Sequence, residues 1–247
     1  MGGERWDVTA IVLAGGQARR LGQDKARASV AGESMLSRIV RGLPARIPVV
    51  VVSPDENVLA VLPGDPAQAP AARQGAGGPA QAPAARQGAG GPARLVSRTC
   101  EQPAGGGPVA GLAAGLKDVA TSTTLLLAVD MPLGVHAALM ALEELTGSSK
   151  GDGMPGGVAV VPVDADGNRQ PLCAAYRTEA LRSALAVLEA EAGTVRNASM
   201  RALLARLEVT DLPDLPEQLL LDVDTPGALA AADSTLRGGE WGSPEPG

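Results

Sequence analysis

Short, unbroken apolar runs separated by stretches of helical periodicity constrain this chain most. Val8 to Leu13, Pro48 to Ser53 and Thr123 to Val129 lack the sustained apolar–polar alternation of a half-solvated sheet. A strand that is apolar on both faces is covered on both faces, as in a parallel sheet held between helices. Ser34 to Arg41 reads as an amphipathic helix, with Met35, Leu36, Ile39 and Val40 on its apolar side. Pro108 to Val119, Gly134 to Leu145, Thr178 to Glu191, Ser199 to Leu207 and Pro226 to Ala232 also read as helices, and Asp55 to Leu62 as a short one. Val158 to Val163, Leu172 to Tyr176 and Leu219 to Val223 read as further strands. The turn Asp164-Ala165-Asp166-Gly167-Asn168 closes a hairpin between the first two of these. Strands alternating with helices predict an α/β chain with three layers and a mainly parallel sheet, to which the hairpin adds a mixed edge.

Composition narrows the function. A length of 247 residues suits one large domain, here residues 1–236. The chain has no Phe, one Tyr and two Trp, so its core must be built of Ala, Val and Leu. Aromatic platforms for stacking bases are therefore scarce, which argues against a single-strand nucleic-acid binder. A net charge of −6 argues against a general polyanion or membrane-surface binder. No apolar run reaches the roughly 20 residues that span a bilayer. Cys100 and Cys173 offer neither metal spacing nor a disulfide framework, which points to a reduced, cytoplasmic setting. His136 is the sole histidine and falls in a predicted helix, so Ser-His-Asp and Cys-His nucleophiles and a zinc site are excluded.

One segment breaks the pattern. Pro66 to Gly78 reads PAQAPAARQGAGG and recurs without change at Pro79 to Gly91. Such a sequence cannot bury enough apolar surface to offset its ordering entropy, and two copies do not make a solenoid. Residues 64–93 are expected to be a disordered insertion, and residues 237–247 a disordered tail in which Trp241 is incidental.

The chemistry concentrates in Leu13-Ala14-Gly15-Gly16-Gln17-Ala18-Arg19-Arg20-Leu21-Gly22-Gln23-Asp24-Lys25, directly after the first strand. A glycine pair lets the main chain turn and approach a ligand, and its successive N–H groups make an anion-binding concavity. Arg19, Arg20 and Lys25 add positive charge to the same place, which suits a nucleoside triphosphate. It is not a Walker loop, because Gly22 is followed by Gln23, and the G-x-G-x-x-G fingerprint is absent. Two later strand ends carry carboxylates. Asp130 closes Leu125-Leu126-Leu127-Ala128-Val129 before Pro132, at the carboxyl end of a strand where open α/β sheets bind ligands. Asp222 and Asp224 alternate on the predicted strand Leu219 to Val223 and its continuation, and so share a face. Carboxylates and phosphate oxygens together suit a hard cation. Asp130 can instead cap its own turn, and Thr225 or Asp224 can cap the helix that starts at Pro226.

The loop from Leu13 to Lys25 resembles the signature of nucleotidyltransferases that join an NTP to a phosphorylated acceptor and release pyrophosphate. Gly106-Gly107-Pro108-Val109-Ala110-Gly111 resembles the Gly-Pro-Leu-Ala-Gly element of molybdenum cofactor guanylyltransferases, as do Gln170-Pro171-Leu172 and Asp224-Thr225-Pro226. The resemblance runs from about residue 8 to 232 outside the insertion. It implies a Rossmann-like nucleotidyltransferase fold and transfer of GMP from GTP to molybdopterin or its molybdenum-loaded form. The implied nucleotide-binding residues are Leu13, Ala14, Gly15, Gly16, Gly22, Lys25, Glu101, Gly107 and Asp130. Lys25, Arg20 and Asp130 would act in catalysis, and Asp130 with Asp222 or Asp224 would hold Mg²⁺, with Mn²⁺ as the alternative. In that family an acidic residue before the glycine turn contacts the guanine. Glu101 is nearest, displaced by about one residue, and Cys100 occupies the other slot. CTP as the donor, a phospho-acid or sugar phosphate as the acceptor, or a silent nucleotide-binding protein are the rival readings. Protein partners that receive the finished cofactor are a further expectation.

Overall fold

The computed structural model describes residues 7–15, 25–62, 94–147 and 157–237. Gly16, Arg19, Arg20 and Gly22, the expected insertion and the residues from 238 onward lie outside the described residues. The central element is β1 (Val8–Leu13), flanked by β4 (Val49–Val52) and β6 (Thr123–Ala128), both parallel to it. The sheet continues through β5 (Val96–Thr99) on the β4 side and through β8 (Cys173–Arg177), β7 (Ala159–Pro162) and β9 (Val209–Leu212) on the other. Its order is β5-β4-β1-β6-β8-β7-β9, and β8 alone runs against the rest.

The unbroken apolar runs have the physical meaning that the sequence suggested. Ala10 and Val12 of β1, Val49 and Val51 of β4, and Leu125 and Leu127 of β6 pack on one face with Ile39 and Leu142. These last two belong to α1 (Met35–Gly42) and α3 (Gly134–Gly147). Ile11, Val50, Val52 and Leu126 point the other way. They pack with Val109, Leu112, Leu185 and Leu203, from α2 (Pro108–Gly115), α4 (Thr178–Ala192) and α5 (Met200–Leu204). The three layers follow directly from strands that bury both faces.

Several boundaries differ from expectation for identifiable reasons. Leu219 to Val223 is not a strand: Glu217–Leu220 forms a 3-10 turn and the chain then runs extended beside the sheet. The edges of β6 are already occupied by β1 and β8, so no ladder is open there. Leu219 and Val223 are buried as pegs into the core, which explains their apolar character without a strand. The strand that does form the edge is β9, whose partly exposed Val-Thr-Asp-Leu carries no apolar run. The reversed strand β8 is internal rather than marginal. The last helix, α6, spans Pro226–Arg237 and so extends beyond Ala232. A small hairpin of β2 (Ser29–Val30) and β3 (Glu33–Ser34) precedes α1. Ala31 and Gly32 turn it at φ 51° and 81°, as such tight turns require. No helix among the described residues is long and apolar enough to cross a membrane.

Helix α2 lies so close to β1 that a Cβ on Gly115 would stand 2.9 Å from Ile11 Cγ2 and 3.1 Å from Val52 Cγ2. Both neighbours are β-branched residues locked in the sheet. Gly115→Ala is therefore expected to lose about 1 kcal/mol net. Overpacking costs roughly 1–3 kcal/mol, against a helix-propensity gain of at most about 1 kcal/mol. Urea denaturation measures this; unchanged or higher stability would mean that β1 and β4 shift at little cost.

Candidate active site

Three chain segments meet at the carboxyl ends of β1 and β6. This is where the connection order changes direction: β4 and β5 lie to one side of β1, and β6 to the other. Such a switch point leaves a crevice that no crossover helix covers. On the β1 side, Ala14 N–H donates to Val52 O at 2.8 Å, and the Ala14 side chain is buried in the core. Gly15 follows in a space where a Cβ would stand 3.3 Å from Pro54 Cδ. On the β6 side, Val129 N–H donates to Leu13 O at 3.0 Å, so Asp130 emerges next to Gly15.

The third segment is the extended chain around Val223. Val223 N–H donates to the Asp130 carbonyl at 2.8 Å, and its side chain is fully buried. With Val223 pinned inward, Asp222 and Asp224 flank Asp130. The shared face expected from an alternating pattern therefore holds, although no sheet ladder makes it. One carboxylate oxygen from each of Asp130, Asp222 and Asp224 lies within 4.8 Å of the others.

Lys25 answers this charge. Its Nζ donates to Asp130 Oδ2 at 2.7 Å and also to Asp224 Oδ1. Ala26 and Ala28 are fully buried on either side of Arg27, and Met35 N–H bonds the Ala28 carbonyl, so the segment that carries Lys25 is anchored to α1. Desolvation pulls the Lys25 pKa down, but its hydrogen bonds to Asp130 and Asp224, together with the charges of Asp130 and Asp222, outweigh it and leave it raised. The Asp222 pKa is raised as well, which in an acid disfavours the charged form. Partial desolvation and then the charges of Asp130 and Asp224 push it up to about 7. Three crowded carboxylates with oxygen donors on one side suit a hard divalent cation, which asks for oxygen ligands and positive charge in such a place.

Two cavities meet at Asp130. The smaller, about 210 Å³, runs from Gly15 and Lys25 past Ser53, Cys100 and Glu101 to Gly107 and Gly111. The larger, about 530 Å³, is lined by Gln170, Pro171, Leu172, Asn197, Ser199 and Asp222, among others. Pro108, Asp130 and Leu172 border both. Glu101 Oε1 accepts the N–H groups of Gly105 at 2.7 Å and Gly106 at 2.9 Å. Gly107, at φ 85°, then turns the chain into α2, with Pro108 in the first helical position. A Cβ on Gly111 would lie 3.3 Å from Glu101 Oε2, so this carboxylate needs the bare glycine beside it.

The structure thus brings Leu13, Gly15, Lys25, Glu101, Gly107 and Asp130 to one cavity, with Asp222 and Asp224 at its Asp130 end. Ala14 stands behind the wall. Gly16, Arg20 and Gly22 lie outside the described residues. Ser53, Pro54, Asn197 and Ser199 line the cavities without having been expected there. Ser53 ends the second apolar run, so the strand-end rule that selected Asp130 is a signal that could have found it. Asn197 and Ser199 carry no local signal.

If Lys25 is what makes the carboxylate cluster tolerable, Lys25→Met lowers stability by about 1–3 kcal/mol in metal-free buffer. Millimolar MnCl₂ then restores the melting temperature of the variant more than it raises that of the unaltered chain. Equal melting of the two chains without metal would remove Lys25 from this role.

A family model described as the MobA-like NTP transferase domain matches residues 10–212. A protein of Opitutus terrae named probable molybdenum cofactor guanylyltransferase is 33% identical over 182 residues, covering 72% of this chain and 70% of the relative. A protein of the same name from Chloroflexus aggregans is 33% identical over 180 residues, 70% of this chain and 67% of its own. Among solved structures, molybdopterin-guanine dinucleotide biosynthesis protein A from Archaeoglobus fulgidus superposes with a TM-score of 0.60 at 19% identity. That match covers 93% of this chain and 99% of the other. The 2-C-methyl-D-erythritol 4-phosphate cytidylyltransferase of Thermus thermophilus gives 0.53 at 17% identity, over 93% and 98%. These two likenesses concern the fold.

Proposed function

The chain belongs to the MobA-like NTP transferase family and is a nucleotidyltransferase, and from that premise we propose that it transfers GMP from GTP to molybdopterin or its molybdenum-loaded form, releasing pyrophosphate. The observation that carries this reading is the position of Asp130, shared between a small cavity and a larger one and paired with Lys25. A transferase needs two substrates to meet at one phosphorus, and a single carboxylate bordering two cavities suits that need. GTP occupies the smaller cavity in this reading. Its phosphates lie toward Gly15 and Lys25, and its base toward Glu101, whose carboxylate can accept the ring N–H and amino group of guanine. The acceptor enters from the larger cavity.

An acceptor phosphate oxygen attacks the α-phosphorus in line with the departing pyrophosphate. Phosphate oxygens are ionised at neutral pH, so no strong general base is required, and alignment and charge neutralisation carry the rate. Lys25 moves its three donors from the carboxylates to the triphosphate as the nucleotide enters. Arg20, from the same signature loop, adds charge to the pyrophosphate. Asp130 with Asp222 or Asp224 would hold Mg²⁺, with Mn²⁺ as the alternative, and the bound cation would neutralise the α-phosphate and orient both reactants. The reaction belongs in the cytoplasm, where a downstream protein would collect the dinucleotide.

Pyrophosphate release is measured with Mg²⁺, molybdopterin and each of GTP, CTP and ATP. Release with GTP alone is expected. Release with CTP would retain the mechanism and reassign the base, and silence with all three would overturn the acceptor. In the same assay Lys25→Ala and Asp130→Ala are each expected to lower turnover by roughly 10²–10³-fold with the fold intact by circular dichroism. Near-normal turnover in either removes that residue from the mechanism. Glu101→Gln is expected to erode the preference for GTP over ATP while leaving turnover with saturating GTP within about tenfold.

A further inference from the structure

Of the two acids that Lys25 bridges, Asp130 is fixed by the end of β6 and by Val223, whereas Asp224 hangs from the start of α6. The Asp224 side chain is 47% exposed, and an ion pair screened by solvent in this way does not hold its own partners in place. Where the Asp224 carboxylate stands therefore depends on where α6 sits. Helix and acid move together, because Thr225 caps the helix. Its Oγ1 accepts the Ala228 N–H at 3.2 Å, and its carbonyl accepts the Leu229 N–H at 2.9 Å.

Apolar packing seats α6 without fixing it. Ala232 is fully buried, and Leu229 and Leu236 pack against the core from the same helix. Apolar burial is non-directional, so a helix held by it alone can slide along its seat. Asp233 makes a directional contact. Its Oδ1 accepts the N–H of Ala31 at 2.6 Å, at the tip of the β2–β3 hairpin. Ala31 stands at φ 51°, a conformation that residues other than glycine seldom adopt. As the first residue of a two-residue turn, it has an N–H that the hairpin's own ladder does not use. Arg237 Nε donates to the other oxygen, Asp233 Oδ2, at 2.6 Å.

The hairpin is a firm reference for the helix. Arg38 Nη2 of α1 donates to Val30 O at 3.0 Å, and Glu33 accepts from Ser37 Oγ at 2.8 Å and from Arg41 at 2.7 Å. The hairpin also continues the segment that carries Lys25, whose carbonyl accepts the Ala28 N–H at 3.3 Å. Neither Ala31 nor Asp233 lines either cavity. Their bond thus joins, outside the cavities, the same two segments whose Lys25 and Asp224 meet at the site. We propose that Asp233 is a positioning residue: by holding α6 to the hairpin turn, it sets the place where Asp224 meets Lys25. It touches no substrate and acts through that pair. This rests on the roles given above to Lys25 and Asp224 and adds the contact that brings them together.

Lysine reactivity tests this without substrate. The full chain is treated with a trace of acetic anhydride at mildly alkaline pH, and mass spectrometry gives the acetylation of Lys25 relative to the exposed Lys117. Lys25 is expected to react slowly in the unaltered chain, because an ammonium bonded to two carboxylates keeps its proton. Asp233→Ala preserves helix propensity while removing the acceptor. It is expected to raise the ratio by about threefold or more. Asp233→Asn, which retains an acceptor for the Ala31 N–H, is expected to restore the low ratio. In an Asp224→Asn chain, whose Lys25 has already lost that partner, Asp233→Ala is expected to change the ratio no further. A merely structural role would lower the melting temperature of Asp233→Ala and leave the ratio as it was. That result, an equal rise in Asp233→Asn, or an undiminished rise in the Asp224→Asn chain would overturn the proposal. Pyrophosphate release with GTP, Mg²⁺ and molybdopterin separates it from the reaction itself, with kcat of Asp233→Ala expected to fall by about tenfold. If the labelling responds as expected but the unaltered chain releases no pyrophosphate, the reaction assignment fails and the positioning role stands. If both chains release pyrophosphate with the same kcat and the labelling does not respond, the reaction stands and the positioning role falls.

Discussion

Three carboxylates on one small patch set the terms for this molecule. Unit charges about 4 Å apart interact by roughly 4 kcal/mol at an effective dielectric near 20, less where solvent reaches them. One carboxylate oxygen from each of Asp130, Asp222 and Asp224 lies within 4.8 Å of the others, so the fold must supply positive charge or raise the pKa of an acid. It does both. Lys25 bridges Asp130 and Asp224, and Asp222 is pushed up to about 7 by partial desolvation and the two neighbouring carboxylates. A protein selected for stability alone would have no reason to assemble such a cluster. Its existence at a strand switch point fits the proposed nucleotide site, in which Lys25 would be a resident cation that a substrate can draw away.

Everything around the cluster works to hold three distant parts of the chain together. Val129 bonds back to Leu13, which ties β6 to β1, and Val223 bonds to the Asp130 carbonyl, which ties the C-terminal segment to β6. Buried Ala26 and Ala28 fix the approach of Lys25. On the opposite side, the Gly106 peptide is held at both ends. Its N–H goes to Glu101 and its carbonyl accepts from Asn197. The two cavities therefore share a wall at Pro108, Asp130 and Leu172, and the Gly106 peptide joins the chain segments that line them. Bare glycines at 111 and 115 let α2 sit close enough to β1 for this to happen, since a Cβ at either position would press on Leu13 or Ile11.

Much of this was legible in the chain itself. The runs Val8–Leu13, Val49–Val52 and Leu125–Ala128 announced buried strands because they are apolar on both faces, and α1 announced itself by its spacing and by Ser34, which caps it through Ser37 N–H. Asp130 stood out as a lone carboxylate at the end of an apolar strand. The signal failed where burial and strand pairing part company. Leu219 and Val223 are as apolar as any strand residue, yet they serve as pegs beside a sheet with no free ladder. Conversely β9 pairs along an edge with Thr210 and Asp211 exposed, so its sequence lacks the apolar run that would reveal it. Asn197 was silent because its place on a cavity wall depends on a loop nearly a hundred residues away.

The sequence by itself determined the layer architecture and the chemical vocabulary of the site. Strand burial and helix periodicity are local properties of a residue and its near neighbours, and so are a glycine turn, a strand-end acid and a lysine in a charged loop. The tertiary structure alone decided how those pieces meet. Lys25 reaches Asp130 and Asp224 across 105 and 199 positions of chain, and Asp222 and Asp224 flank Asp130 only because Val223 is pinned between core and carbonyl. Charge coupling depends on separation in space, and only the closing of the sheet turns such distances along the chain into a few ångströms.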